Sequence, residues 1–263
     1  MPELPDYERP PVVEVVAAVQ FLPLPQFGMR EAVAVSRAFD GWDVVDVPPA
    51  LDPIVEYPAG NVASPALRFG LGQPPVRAIL ASEGERFLAQ VQQDRIAAHE
   101  RKVDQPPSFQ NVKPALRDVA TRVSEGLGRA VLEEPHGPEV VEVIYENRIP
   151  AGEGWNDFSE AHRVLRVFSQ EAGAPPYERF EQARVELAYD LRDADDFAGR
   201  LRVVSDPQIG PDQERWLHLR LISRRMVHHR DVDSVLEQCH ADIVRGFTAV
   251  TTERMHKIWG RLR

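Results

Sequence analysis

A single cysteine, Cys239, occurs in 263 residues. One thiol cannot close an internal disulfide or supply the paired spacing of a zinc ribbon or dithiol redox motif, so a reducing, cytoplasmic setting is the expectation. Missing too are His-Glu-x-x-His, Cys-x-x-Cys and a complete phosphate loop. Gly70-Leu71-Gly72-Gln73-Pro74-Pro75 has neither a third glycine nor a following helix. No apolar run approaches the roughly 20 residues of a membrane-spanning helix. Met1-Pro2-Glu3-Leu4-Pro5-Asp6 lacks the basic and then apolar order of a secretory signal. Positive charge is also scarce: 31 Lys and Arg against 41 Asp and Glu leave a net charge of −10. That balance opposes long-range attraction to nucleic acid or anionic lipid. No cofactor, no metal, no nucleic acid and no membrane is expected as a partner.

Two candidate chemical centres fail on local geometry. His228-His229-Arg230-Asp231-Val232-Asp233 is dense in metal-ligand types, yet it is the turn entering a helix, where aspartates cap. Cys239 and His240 are neighbours inside a helix and so face different ways. Cys239 falls on the apolar stripe and reads as core rather than as a nucleophile. The acid pairs Glu133-Glu134 and Asp195-Asp196 read as surface loops.

What is present is an ordinary globular composition, 43% apolar and 27% charged, in a chain long enough to pack a core without a covalent staple. The 23 prolines sit mostly in connections such as Pro48-Pro49, Pro106-Pro107 and Pro175-Pro176, where a missing N–H costs least. Residues 1–10 read as an extended, frayed lead-in. Val12–Phe21 reads as a strand, Phe27–Phe39 as a helix, and Trp42–Tyr57 as irregular with one short strand. Strands follow at Ala66–Phe69, Val76–Ser82 and Arg86–Arg95, then a polar stretch at 96–107 and a helix at Ser108–Leu127 with Val112, Leu116, Val119 and Val123 at helical spacing.

The second half reads in the same order. A strand at 139–149 precedes a helix from Asp157, with Glu160 completing a capping box. Phe180–Leu191 alternates strictly, Arg200–Ser205 and Arg215–Arg225 continue the alternation, and a helix runs from Ser234 towards Trp259. Two sequence echoes accompany this. Pro11-Val12-Val13-Glu14-Val15 returns as Glu139-Val140-Val141-Glu142-Val143, and Gly84-Glu85-Arg86-Phe87-Leu88 returns as Gln213-Glu214-Arg215-Trp216-Leu217. The expected fold is α+β: an internal duplication of a strand-helix-(three to four antiparallel strands)-helix unit, its sheets covered on one face by helices. The repeats are residues 1–132 and 133–263, packed together as one pseudo-symmetric unit. The second echo carries a conflict, because aligning Phe87 with Trp216 puts apolar residues of the two strands on opposite faces unless one bulges.

The alternation leaves one polar sheet face. Arg184, Glu186, Arg200, Arg202, Trp216, His218, Arg220, Ile222 and Arg224 point away from the helices, joined by Glu142, Glu146 and Arg148. Arginine beside tryptophan suits partner or anion contacts; the plainer alternative is a solvated face laced with ion pairs. The candidate contact residues are Arg184, Arg202, Trp216, His218, Arg220 and Arg224. A second candidate is a cleft between the repeats formed by Gln93, Asp94, Arg95, Tyr145 and Asn147.

Pro10-Pro11-Val12-Val13-Glu14-Val15-Val16, Gln90-Val91-Gln92-Gln93-Asp94-Arg95, Tyr145-Glu146-Asn147-Arg148-Ile149 and the run from His240 to Gly260 together resemble a sporadically distributed bacterial family of uncharacterised proteins of about this length. The resemblance implies no activity. In that family an aromatic and then Asn-Trp follow Asp-Arg, whereas Ile96-Ala97-Ala98-His99 stands here. The order of elements is also similar to the duplicated plan of TATA-binding-protein-like and helix-grip folds, a likeness of topology that carries no function. The expected function is that of a cytoplasmic, non-enzymatic binding or regulatory protein. Its contact would be with another protein or a small anionic ligand, through the arginine face or the cleft. The alternatives are a hydrolase-like enzyme at the repeat interface and nucleic-acid binding on the sheet face. A homodimer stays open.

Overall fold

The computed structural model describes residues 3–24, 27–58, 76–133, 137–168, 183–228 and 230–263. Among these residues the chain is α+β, built on one nine-stranded antiparallel sheet. In chain order the elements are β1 (Val12–Phe21), α1 (Met29–Ser36), β2 (Trp42–Asp46), β3 (Arg77–Ser82), β4 (Phe87–Gln92), β5 (Arg95–Arg101), α2 (Phe109–Leu127), β6 (Pro138–Pro150), β7 (Val185–Asp193), β8 (Asp196–Ile209), β9 (Arg215–Met226), α3 (Val232–Val250) and α4 (Glu253–Ile258). Across the sheet the order is β2-β3-β4-β5-β1-β6-β9-β8-β7. The β1 and β6 strands meet at the centre, with Val15 opposite Tyr145, Ala17 opposite Val143 and Val19 opposite Val141.

Strand parity decides what each face carries. Val15, Ala17, Val19, Val141, Val143, Leu217, Leu219 and Leu221 share one face, and all are buried in the same cluster as Phe109, Val112, Val119, Leu236, Ile243 and Phe247 of the helices. Helix α2 packs on β5 and β1, and α3 on β6 and β9. Glu100 fixes where α2 begins. Fully buried at the end of β5, it accepts the Ser108 N–H at 2.8 Å and the Asn111 side-chain amide at 3.0 Å, and it pairs with Arg86 at 2.7 Å. A carboxylate at a helix N-terminus is favoured by the free N–H groups there.

Several expectations need correction. The polar stretch after Arg95 is strand β5, because Gln93-Asp94 forms a tight turn and the chain returns along β4. The segment from Asp157 is a short 3-10 turn, Phe158–Arg163, whose Asp157 side chain accepts the Ser159 N–H. The last helix is two, α3 and α4, parted at Thr251, whose backbone is extended (φ −92°, ψ 156°). The lead-in is docked rather than frayed. Glu8 N–H and Arg9 N–H donate to the carbonyls of Gly260 and Trp259, and Tyr7 packs edge-on against Phe247 and Trp259. The second sequence echo pairs strands in different places, since β9 lies directly on β6 whereas β5 separates β4 from β1. No bulge is then required to explain their faces. The strand expected at Ala66–Phe69, the glycine pair at 70–72 and the start of the strand expected from Phe180 lie outside the described residues, as does His229. Among the described residues no helix is long and apolar enough to cross a membrane.

Helix α1 crosses α2 at Gly126, where an added Cβ would stand 2.7 Å from Val35 Cα and 3.1 Å from the Ala34 carbonyl oxygen. Alanine would gain about 1 kcal/mol in helix propensity, but backbone atoms cannot yield as a flexible side chain can, and overpacking costs about 1–3 kcal/mol. We expect Gly126→Ala to lower stability by about 1–2 kcal/mol in urea denaturation. An unchanged or raised midpoint would show that the two helices move apart freely.

Candidate functional site

The polar face places Arg200, Arg202, Trp216, His218, Arg220 and Arg224 on one side of β8 and β9, as their parity requires. Each finds a partner within the chain. Arg224 donates through Nε to Glu142 at 2.5 Å and approaches Glu56 at 3.4 Å. Arg200 donates to Glu56 at 2.7 Å, and Arg202 lies 3.5 Å from the same carboxylate and 3.7 Å from Glu186. Glu146 takes Arg220 at 2.5 Å and His218 at 2.7 Å. Trp216 is covered by the Arg148 guanidinium at 4.2 Å from its ring centre, and Arg184, just ahead of β7, lies 3.3 Å from Asp206. Burial alone would lower the pKa of Arg224, but Glu142 and Glu56 outweigh it and raise the pKa. The face is thus a ladder of cross-strand ion pairs whose deepest member, the Glu56 side chain, is 1% exposed.

Glu56 comes from a segment the sequence left irregular. After β2 the chain lies across this face as an extended strap, in no regular element from Leu51 to Pro58. Gln20 binds both main-chain groups of Ile54: its Oε1 accepts the N–H at 2.6 Å, and its Nε2 donates to the carbonyl at 2.9 Å. Gln92 does the same for Leu51, at 3.0 and 3.1 Å. Arg95 donates to the Asp52 carbonyl at 2.9 Å, and Arg200 to that of Tyr57 at 2.8 Å.

The second candidate set divides. Arg95 stands opposite Gln20 on the polar face, while Tyr145 stands opposite Val15 on the helix face. Gln93 and Asp94 form the β4–β5 turn, which accepts the Leu24 and Phe21 N–H groups through its carbonyls. Tyr145 and Asn147 instead line a cavity of about 580 Å³ between α2, α3 and the docked lead-in, together with Phe109, His240, Ile243 and Phe247. Among its lining groups is the Tyr145 hydroxyl, with Phe109 at the start of α2 beside it. That hydroxyl lies 3.0 Å from His240 Nδ1. The His240 ring stacks on Phe109 at 4.4 Å with planes 3° apart. Burial lowers the His240 pKa and raises that of Tyr145. Asn147 donates through its amide to the Leu219 and Tyr145 carbonyls, leaving Oδ1 as its remaining polar atom. The sequence drew attention to Tyr145 and Asn147, set His240 aside with Cys239, and gave no sign of Phe109. Their spacing across two distant helices has no local signature.

Cys239 is fully buried and burial pushes its thiol up to about 12, so it is an inert packing group at neutral pH. The pairing of Thr251 with His256 is also structural. The Thr251 hydroxyl donates to the Phe247 carbonyl at 2.6 Å, so it accepts from His256 Nε2 at 2.8 Å.

Two substitutions on the ion-pair ladder separate buried from exposed charge. Arg220 is 45% exposed and Glu146 keeps His218 without it, so Arg220→Gln should change stability by less than about 1 kcal/mol. Arg224→Gln strips Glu142 and weakens the surroundings of Glu56, whose side chains are 6% and 1% exposed. A cost of about 2–3 kcal/mol is expected. Chemical denaturation of both variants checks this, and equal costs would contradict it.

No family model, curated protein or solved structure matches the chain.

Proposed function

We propose that the protein is a non-enzymatic binding protein whose ligand is a small, largely apolar molecule held between α2 and α3. The observation that carries this reading is the cavity itself. It has the size of a small-molecule site, aromatic and aliphatic walls in Phe109, Ile243 and Phe247, polar groups in His240, Tyr145 and Asn147, and the charged Asp6, Glu8 and Arg263 also along its lining. Its position supports the reading as well, above the central β1–β6 pair where the two halves of the chain meet. We further infer that the halves descend from one duplicated unit, with helices covering one sheet face. From the centre outward, β1, β5, β4 and β3 are mirrored in order by β6, β9, β8 and β7, and a long helix follows each meander. The first sequence echo aligns Glu14 with Glu142 on the polar face and Val15 with Val143 on the helix face, the match beginning after the register shift that follows Val12. The arginine face supports a free-anion reading less well, because its guanidinium groups already hold Glu56, Glu142 and Glu146. The hydrolase alternative drew on residues that lie on opposite faces of the sheet.

The test uses N-phenyl-1-naphthylamine, a neutral apolar fluorophore, titrated into the native protein. Saturable 1:1 binding is expected. Val244→Trp, which fills the cavity from α3, should abolish it. No saturable binding, or binding indifferent to Val244→Trp, would remove this reading.

The same site predicts a pH dependence. The folded-state pKa of His240 lies below its ordinary value of about 6.5, so the unfolded chain binds the proton more readily. Stability from the neutral imidazole is fully present above about pH 6.5 and is lost as pH falls through the folded value. His256 shifts in the same direction. His240→Gln should therefore flatten, without abolishing, the fall in melting temperature between pH 7.5 and 5.5. An identical slope in parent and variant would show that His240 protonates freely in the fold.

A further inference from the structure

The strap from Leu51 to Tyr57 is bound as a foreign peptide would be. Among the described residues it has no strand neighbour, and its main chain is gripped by side chains: the Gln92 carboxamide on Leu51, the Arg95 guanidinium on Asp52, the Gln20 carboxamide on Ile54 and the Arg200 guanidinium on Tyr57. Side chains that bind both the N–H and the carbonyl of one residue recognise an extended peptide whatever its sequence, since every residue except proline offers that pair. Selectivity enters at two downward-facing positions. Ile54 is 7% exposed against the sheet, and two residues on, the Glu56 carboxylate sits among Arg200, Arg202 and Arg224 at 2.7, 3.5 and 3.4 Å. Val55 and Tyr57, between and beyond them, face out and are 51% and 41% exposed. Alternate residues in, alternate residues out, is how an extended chain is read on a sheet surface.

The platform also holds more donor capacity than the strap uses. Arg95 is 5% exposed, yet its Nε has no partner among the described residues, and neither has the buried Nε of Arg202. An unpaired buried donor is costly, and an occupant with one more acceptor at these positions would relieve that cost.

We propose that this face is a binding platform for an extended acidic peptide segment of another protein, of the pattern apolar-x-Glu/Asp, and that residues 51–57 are its built-in, displaceable occupant. The arginines expected at the outset to meet a partner would do so only after the strap leaves. The internal copy is present at a high effective concentration, on the order of millimolar for a short tether, so an incoming peptide must exceed it in affinity or arrive in excess.

The probe is a fluorescein-labelled synthetic peptide of residues 50–58, Ala-Leu-Asp-Pro-Ile-Val-Glu-Tyr-Pro, titrated by anisotropy against the full chain. Binding to the parent should be weak and should tighten at least tenfold in Glu56→Ala, whose own strap has lost its anchor. The same peptide with Glu replaced by Gln should bind that variant at least tenfold more weakly, and the tight binding should fall with added salt. Ile54→Gly provides a second weakened strap if Glu56→Ala does not fold. In the parent, saturating peptide should accelerate exchange of the Ile54 amide hydrogen, which Gln20 protects. The proposal fails if a folded strap variant binds the peptide no better than the parent does, or if the Glu-to-Gln peptide binds equally well. It also fails if neither strap variant folds and Ile54 exchange in the parent is unmoved by peptide.

Discussion

The antiparallel pairing of β1 with β6 is the constraint on which the rest depends. These two strands keep one register from Glu14 to Gln20 on one side and Val140 to Glu146 on the other, with a shift at each end, and through them two meanders become one sheet. Because side chains alternate strictly along each strand, that single register sends Val15, Ala17, Tyr145 and Val143 to the helices. It sends Gln20, Glu142 and Glu146 to the opposite face. Shifting it by one residue would exchange the two sets, exposing the core and burying three polar side chains without their partners. Both candidate sites are therefore set by the same hydrogen bonds. The cavity lies above this pair on one face, and the strap lies across it on the other.

The polar face shows how a sheet can bury carboxylates without a net penalty large enough to unfold it. Glu56, Glu142 and Glu146 are all nearly enclosed, and an isolated charge at that depth would cost several kcal/mol. Each is met by at least one guanidinium drawn from β8 or β9. Arginine suits this better than lysine because its rigid fork can serve two carboxylates at once, as Arg224 does for Glu142 and Glu56. The local excess of arginine in an acidic chain is thus explained first by the chain's own acids. Only the unspent donors and the mode of strap recognition point beyond the molecule.

Elements with one wholly apolar face were legible in the sequence. Strands β8 and β9 alternate cleanly because Leu201, Val203, Leu217, Leu219 and Leu221 all face helix α3, and α2 shows its period through Val112, Leu116, Val119 and Val123. Strand β5 was missed because its apolar face ends in Glu100, a buried charge that breaks the alternation and is satisfied only by residues on other elements: Arg86, Ser108 and Asn111. The second echo misled for a related reason. An apolar strand of either register position can share four or five residue types with another, and only the hydrogen-bonded order distinguishes β5 from β4 as the neighbour of β1. Among the contact residues, those on the arginine face could be grouped by parity alone, whereas Tyr145 and Arg95 could not be separated until the faces of β5 and β6 were known.

The strap was the least legible part, and the reason is physical. Gln20 alternates with valine and alanine, so from the sequence it looks like an ordinary solvent-facing residue of a half-buried strand. Its carboxamide is instead 34 residues away from the backbone it binds, and Gln92 is 41 residues from Leu51. Side-chain to main-chain bonds of this kind leave no periodic trace in either partner. They do leave a trace in composition: glutamine and arginine, and no lysine, stand beside the glutamates on the polar side of the strands beneath the strap. A surface that only had to stay solvated would be served by any charged residue, so the use of groups able to hold a peptide main chain implies that covering this face with an extended chain is part of what the fold is built to do.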